Sequence, residues 1–222
     1  RHIIRDDTVT AKLILLSIAS ALLTVGCVTK VSFVVKDVDD VRPVRLEKRT
    51  GARPVEFAKL LSQIDANKQI GEVGQLWGCN MPIPIVWGQT RSIATGAMIQ
   101  GIVNELRGLG IEVRHGDDEL FADAAPRKAD LVLGANLLDV QLRICRFQHQ
   151  LVDYNGAAYA KIEWQVYSRS QSKIVYSAIT EGGFKTENFF KDSNHFFHEA
   201  LTSASRALFA RADFIALIAD GR

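Results

Sequence analysis

Apolar and polar positions alternate strictly in the later part of the chain. Residues 157–167 read AAYAKIEWQVY, and one parity carries only apolar side chains: Ala158, Ala160, Ile162, Trp164 and Val166. Residues 129–147 and 173–180 alternate in a similar way, and the polar stretch 168–172 separates two of these segments. Because side chains on a strand point to opposite faces in turn, the pattern predicts strands with one buried face, two of them joined by an antiparallel turn.

Two other stretches repeat apolar residues at intervals of three and four, as one face of an α-helix does. The first begins at Ser92, a suitable N-cap, and ends near Gly108 or Gly110, where a glycine can close the helix. The second covers residues 194–219, with a break expected near Arg211. Both patterns predict amphipathic helices with one buried face.

The region before the first of these helices carries weaker patterns. Residues 55–64 have apolar positions at helical spacing, although an extended interpretation stays open, and residues 69–76 favour a strand. Pro82 and Pro84 mark the next segment as a loop or an edge strand, because proline has no backbone donor for a ladder. Together the elements predict an α+β fold, with two amphipathic helices packed on one face of a mainly antiparallel sheet.

An uncharged apolar run, LILLSIASALLTV, covers residues 13–25. Arg1, Arg5 and Lys12 precede it, and it is shorter than the roughly 20 residues that a membrane-spanning helix needs. Its length and its positive flank are those of a signal peptide.

The end of this run, LTVGC at residues 23–27, resembles the bacterial lipobox, which has a small residue before a cysteine. Thr24 departs from the lipobox, where an aliphatic residue is usual at that position. The resemblance implies that Cys27 receives a diacylglycerol thioether, with acyl chains such as palmitate, and becomes the first residue of the mature protein. A simple cleaved signal and an uncleaved anchor are the alternatives. Val28 stands where an aspartate would favour the inner membrane, so the same resemblance implies the outer membrane.

The lipobox interpretation divides the chain into three parts. Residues 1–26 would be a lipoprotein-type signal peptide, residues 27–54 a tether, and residues 55–222 an α+β periplasmic domain. The expected location is the Gram-negative envelope, in the inner leaflet of the outer membrane and facing the periplasm.

Two further cysteines, Cys79 and Cys145, remain if Cys27 is acylated. Export would place them in an oxidising compartment, so we predict a disulfide between them. The two positions lie 66 residues apart, and closing such a loop removes unfolded-state entropy that is worth roughly 4 kcal/mol. The alternative is two buried free thiols that pack as small apolar residues. Two cysteines without CxxC spacing or adjacent histidines do not form a metal site.

Several phrases resemble the non-catalytic region that precedes trypsin-like domains in some proteobacterial secreted proteases. They are CNMPIP at 79–84, NELRGLGIEV at 104–113, ADLVLGANLLDVQLRIC at 129–145 and EWQVYSRSQSKIVYSAITEG at 163–182. These segments are typical of a fold and contain a pair of cysteines, but they include no catalytic residue. The resemblance implies an accessory domain of a trypsin-like serine protease whose catalytic domain is absent from this chain.

Composition and charge exclude some classes of function. The chain has 222 residues, 27 basic and 25 acidic, and a net charge of +2, which argues against a dedicated nucleic-acid binder. A hydrophobic fraction of 47% allows a substantial core and argues against wholesale disorder. No glycine-rich loop precedes a helix in a way that would hold phosphate, so we expect no cofactor.

The candidate catalytic residues form no recognisable motif. His115 lies close to Asp117 and Asp118, but the flanking glycine and charges favour an exposed loop. His195 and His198 are three residues apart, whereas the zinc-protease motif needs a spacing of four, so we expect neither a metal site nor a catalytic site. Glu163 has no partner carboxylate in sequence and is interpreted as a surface charge.

The aromatic residues of the late strands offer the better candidate for a contact surface. We assign partner binding to Trp164 and Tyr167, near the centre of this group. The predicted function is a membrane-anchored, non-enzymatic lipoprotein that binds or scaffolds an envelope protein. A carrier of an apolar ligand, held between helices and sheet, is a further alternative.

Overall fold

The computed structural model describes residues 33–39, 53–75, 81–115, 129–147, 153–190 and 194–219. Within these ranges the chain forms seven strands and three helices. In chain order they are β1 (Val55–Ser62), β2 (Gln69–Gln75), β3 (Met81–Val86), α1 (Trp87–Gly108), β4 (Val113–His115), β5 (Leu131–Phe147), β6 (Asp153–Ser168), β7 (Lys173–Phe190), α2 (Asn194–Phe209) and α3 (Ala212–Ala219).

Strand β5 is the centre of the sheet. One of its edges pairs along its whole length with β6, which in turn pairs with β7, and both pairings are antiparallel. The other edge is shared by β1 and β2, which run parallel to the first and second halves of β5. Strand β4 extends the sheet beyond β1 in parallel, and β3 extends it beyond β2 in antiparallel orientation.

The α+β class is confirmed, but two details of the predicted fold are not. The sheet is mixed rather than mainly antiparallel, because β5 forms parallel pairs with both β1 and β2. The described residues form three helices instead of two, because the segment 194–219 is interrupted between Phe209 and Ala212. The expected break near Arg211 lies at this interruption.

Most of the segment 55–64 forms strand β1 (Val55–Ser62), and none of it is helical. Its register against β5 shifts between Phe57 and Lys59, so Ala58 is an extra residue in the ladder. Val55 and Phe57 are buried before the bulge and Leu60 after it. Because one inserted residue inverts the alternation, the apolar positions fall at a spacing that imitates a helix.

The predicted core parity of β6 is confirmed. All five residues of that parity are almost completely buried: Ala158, Ala160, Ile162, Trp164 and Val166. Helix α2 contributes Phe196, Phe197, Ala200, Leu201, Ala204 and Leu208 to the same core. Strand β3 is the edge strand that its two prolines indicate.

Helix α1 begins at Trp87, five residues before the predicted cap at Ser92. Its first amide groups are satisfied by backbone carbonyls of the turn between β1 and β2: Trp87 N donates to Lys68 O at 3.1 Å, and Gly88 N to Ala66 O at 2.6 Å. This tertiary capping replaces the side-chain cap that the sequence suggested. At the other end, Gly110 adopts a φ of 88°, as a residue just after a helix often does.

Helix α2 lies unusually close to strand β7. A Cβ added at Gly182 would be 2.1 Å from Ala204 N and 2.4 Å from Ala200 O. Next to this contact, Trp164 Nε1 donates to Thr180 Oγ1 at 2.8 Å, and Thr180 Oγ1 donates to Ala204 O at 2.7 Å. The glycine and this hydrogen-bond chain fix the helix on the sheet.

We predict that Gly182→Ala destabilises the protein by about 1–3 kcal/mol, because the new methyl group would push α2 away from the sheet. Gly134→Ala is the matched control, since a Cβ there would have its nearest neighbour at 3.9 Å. Urea unfolding followed by circular dichroism measures both. Equal midpoints for the two variants would contradict the close approach.

Candidate functional site

The described helices all pack against one face of the sheet, and we call the opposite face of β1, β5, β6 and β7 the helix-free face. Its side chains form rows across the strands, as the register shows. One row is Glu56, Val132, Tyr167 and Ile174; the next is Lys59, Gly134, Gln165 and Ser177; the third is Leu61, Asn136, Glu163 and Ile179.

Large apolar side chains are exposed on this face. Tyr167 is 40% exposed, Ile174 55%, Ile179 52% and Leu61 52%. Tyr167 and Ile174 are direct cross-strand neighbours, and the row between them and Ile179 contains Gly134, which has no side chain. An apolar surface with polar side chains between and around it is typical of a protein contact site.

The turn beside Tyr167 and Ile174 is held by a dense set of hydrogen bonds. Asp130 Oδ1 accepts from Ser170 N at 2.7 Å, and this backbone hydrogen bond keeps the pKa of Asp130 below its usual range. Arg169 Nη2 donates to both carboxylate oxygens of Glu56 at 2.7 Å, and Arg169 Nε donates to Ala129 O at 3.0 Å. A surface held in this way loses little conformational entropy when it binds.

The other half of the helix-free face is covered by residues 33–39. Phe33 N donates to Glu72 Oε1 at 3.0 Å, and Lys36 N donates to Gln141 Oε1 at 2.9 Å. These residues fall in the predicted tether, and the structure places them against the domain, in the same compact unit as the sheet.

Lys36 forms the strongest electrostatic contact of this segment. Its ammonium group donates to Glu181 Oε2 and lies 5.3 Å from the centre of the Tyr159 ring. The hydrogen bond from Lys36 keeps the pKa of Glu181 below its ordinary value. Burial, with a smaller contribution from Glu181, raises the pKa of Tyr159. Only 2% of Tyr159 is exposed, although its strand parity predicts exposure.

The two residues predicted to bind a partner lie on opposite faces of the sheet. Tyr167 lies on the helix-free face. Trp164 is completely buried, and its indole N–H is bound to Thr180, so it is a core residue and has no surface to offer a partner. Sequence reasoning also missed Ile174, Ile179 and Leu61, because it considered aromatic residues and not the aliphatic residues in the same rows.

The candidate residues His195, His198 and Glu163 contact neighbouring side chains of the domain. His195 Nδ1 and His198 Nδ1 lie 4.0 Å and 3.9 Å from Glu199 Oε1, and the His195 ring packs edge-on against Phe184. Glu163 accepts a long hydrogen bond from Asn136 Nδ2 at 3.4 Å on the helix-free face. Among the described residues, no three His, Cys, Asp or Glu side chains are grouped to hold a metal ion.

Several predicted features lie outside the described residues. They are the signal peptide with Cys27, the loop with Asp117 and Asp118, and Cys79. The backbone of His115 ends strand β4, so this residue belongs to a strand and not to the expected loop. None of the helices in the described part of the chain is long and apolar enough to cross a bilayer.

Comparison with known proteins gives similarities of fold alone. No family model and no curated protein matches the chain. Among solved structures, it is similar to a DUF330 protein from Xanthomonas campestris, with 12% identity, a TM-score of 0.42, and coverage of 85% of this chain and 91% of that one. It is also similar to the PelC dodecamer from Paraburkholderia phytofirmans, with 12% identity, a TM-score of 0.38, and coverage of 81% and 94%.

A minor lipoprotein from Acinetobacter baumannii is a third neighbour, with 9% identity, a TM-score of 0.28, and coverage of 68% of this chain and 89% of that one. None of these neighbours links the chain to the region before trypsin-like protease domains, so that resemblance stays a prediction. At such identities and TM-scores the similarity does not indicate a function.

The pairing of Cys79 with Cys145 also stays a prediction, because Cys79 lies outside the described residues. Cys145 lies opposite Gly74 near the end of β2, and Cys79 follows in the connection between β2 and β3. Peptide mapping without reductant should find one peptide pair joining the two cysteines. Cys79→Ala with Cys145→Ala should lower the free energy of unfolding by about 2–5 kcal/mol. Two thiols that alkylate freely in native protein would contradict this pairing.

Proposed function

We propose that the chain is a membrane-anchored lipoprotein that faces the periplasm and acts as a non-enzymatic binding or scaffolding module of the cell envelope. The observation that carries the proposal is the exposed apolar half of the helix-free face, with Tyr167, Ile174, Ile179 and Leu61. The anchor is supported by the sequence, in which Cys27 ends an apolar run after a glycine.

The apolar half of this face has the features that a protein contact needs. Tyrosine supplies a large contact area with few rotatable bonds, and the two isoleucines are β-branched and stiff. The Glu56–Arg169 pair and Glu163 give the patch a polar border, which is where directional contacts form. The partner we propose is a protein of the envelope, bound through shape and apolar area.

A non-enzymatic role is favoured by where the chemistry-bearing residues lie. His195 and His198 begin helix α2 and contact Glu199, on the side of the sheet that carries the helices. Nucleophilic or acid–base catalysis needs several such groups within hydrogen-bond reach of a substrate. The apolar half of the helix-free face presents isoleucines and a tyrosine instead, and these bind without a tuned proton donor.

The anchor is tested by Cys27→Ser in the complete precursor. We expect the variant to lose acyl-chain labelling and to leave the membrane fraction, because only a thiol can form the thioether. A labelled and membrane-bound serine variant would show that the apolar run alone anchors the protein.

The contact surface is tested by site-specific photocrosslinking in intact envelopes. A photoreactive residue at Ile179 or Ile174 should give a crosslinked partner, whereas one at Ala216, an exposed position on α3, should not. Tyr167→Ser with Ile179→Ser should weaken binding of the identified partner at least about tenfold, because truncation of anchor side chains commonly costs more than 1 kcal/mol each.

The control for the double variant is Gln171→Ser, an exposed change in the neighbouring turn. Unfolding midpoints should be the same for wild type and all variants, since the substituted side chains lie on the surface. Crosslinks that form equally at Ala216 and Ile179 would exclude the helix-free face as the specific contact site.

A further inference from the structure

A cleft forms where residues 34–37 lie against Arg143 of β5, Ala157 and Ala158 of β6, and residues 183–185 of β7. It has a volume of about 180 Å³. Its charged lining consists of Lys36, Arg143 and Lys185 together with one acidic residue, Asp37. Val34, Ala157 and Phe184 are among the apolar residues that complete it. It lies outside the apolar half of the face to which we assign partner binding.

Among the described residues, Lys36 and Arg143 form ion pairs and Lys185 does not. Lys36 is bound to Glu181, so its charge is largely compensated. Arg143 Nε lies 3.8 Å from Glu72 Oε1, beyond hydrogen-bond distance, and the side chain is 41% exposed. Lys185 has no ion-pair partner among the described residues. Arg143 and Lys185 therefore keep donors that are available to an anion.

The apolar side chains of the cleft favour an amphiphilic ligand over a free anion. Val34 is 81% exposed beside these cations, which is an unfavourable position for an aliphatic side chain in water. The glycerol and upper acyl region of a phospholipid would contact such a side chain, while its phosphate would face the two cations.

If Cys27 is acylated, the short distance along the chain from Cys27 to Phe33 limits how far the cleft can lie from the bilayer. Phe33 is fixed to the domain through Glu72, and it follows Cys27 by six residues. Six extended residues span at most about 20 Å, so an acylated Cys27 would keep this end of the domain close to the lipid headgroups.

We propose that this cleft binds the phosphate-bearing headgroup of an anionic phospholipid in the membrane that holds the anchor. The proposal rests on the lipoprotein function proposed above and adds a second membrane contact, which orients the domain. Lys185 and Arg143 bind the phosphate, and Val34 contacts the glycerol and acyl region. The Tyr167 end of the sheet then points away from the bilayer.

Vesicle cosedimentation of the mature chain, residues 27–222 with Cys27→Ser, tests the cleft without any acyl chain. We expect binding to vesicles of phosphatidylglycerol mixed with phosphatidylcholine and little binding to phosphatidylcholine alone. Arg143→Gln with Lys185→Gln should weaken binding about 30-fold, since each basic residue near an anionic surface contributes about a factor of five.

The matched control is Lys59→Gln with Lys173→Gln, which removes the same charge from exposed positions outside the cleft. It should bind nearly as wild type, and both double variants should keep the wild-type unfolding midpoint. Equal losses in the two double variants would overturn the proposal in favour of a nonspecific charge effect. No preference for phosphatidylglycerol would overturn it as well.

Inorganic phosphate at constant ionic strength separates the lipid from a free ion. Continued vesicle binding in excess phosphate would support a site for the phospholipid headgroup. Displacement of the protein from the vesicles by phosphate would overturn the proposal in favour of a free-anion site. The Cys27→Ser chain carries no lipid, so its failure to bind vesicles would refute the cleft proposal alone. Absence of acyl labelling at Cys27 in the precursor would refute the anchor alone.

Discussion

The close contact of helix α2 with strand β7 is the constraint on which the rest of the structure depends. Gly182 lets the helix backbone approach the sheet, and Thr180 joins the Trp164 indole to the Ala204 carbonyl. A buried indole N–H without a partner would cost about 1–3 kcal/mol, so the hydrogen-bond chain and the close approach need each other. Because α2 occupies this face, the side chains of the opposite parity must be covered in another way or stay exposed.

The chain covers only part of that opposite face. Residues 33–39 lie over Gln141, Tyr159 and Glu181 and bury the tyrosine. Toward the Ser168 end of β6 the same face has no such cover among the described residues, and its isoleucines and Tyr167 are exposed. The functional proposal follows from this division, since an apolar surface on a rigid scaffold gains free energy when a partner removes it from water.

The sequence predicts well those elements whose periodicity is undisturbed. The alternation in β6 identified its core face residue by residue, and the spacing in 194–219 identified the helices and the break between them. Prediction failed where contacts between distant parts of the chain determine the local structure. Bulges at Ala58 and Leu138 invert the alternation in β1 and β5, and two backbone carbonyls cap α1 ahead of Ser92.

The candidate site could be predicted only in part. Trp164 and Tyr167 were both chosen because they lie near the centre of the late-strand aromatics; Tyr167 is exposed, whereas Trp164 is buried, as its own parity indicates. Residues 33–39 contact partners 39 to 145 positions away, and no local pattern indicates such contacts. Tyr159, which they bury, has the parity of an exposed residue, and nothing within β6 separates it from Tyr167.

The proposed lipid contact and the proposed protein contact lie at different places on the sheet, because residues 33–39 cross it near only one of them. Tyr159 lies under residues 33–39, and Tyr167 lies eight residues further along the same strand, about 26 Å away at the rise of an extended chain. A domain held to the bilayer near Tyr159 would therefore present Tyr167 and Ile174 well above the headgroups. One sheet face could then bind lipid near Tyr159 and a protein near Tyr167, because residues 33–39 cover only the first of these two regions.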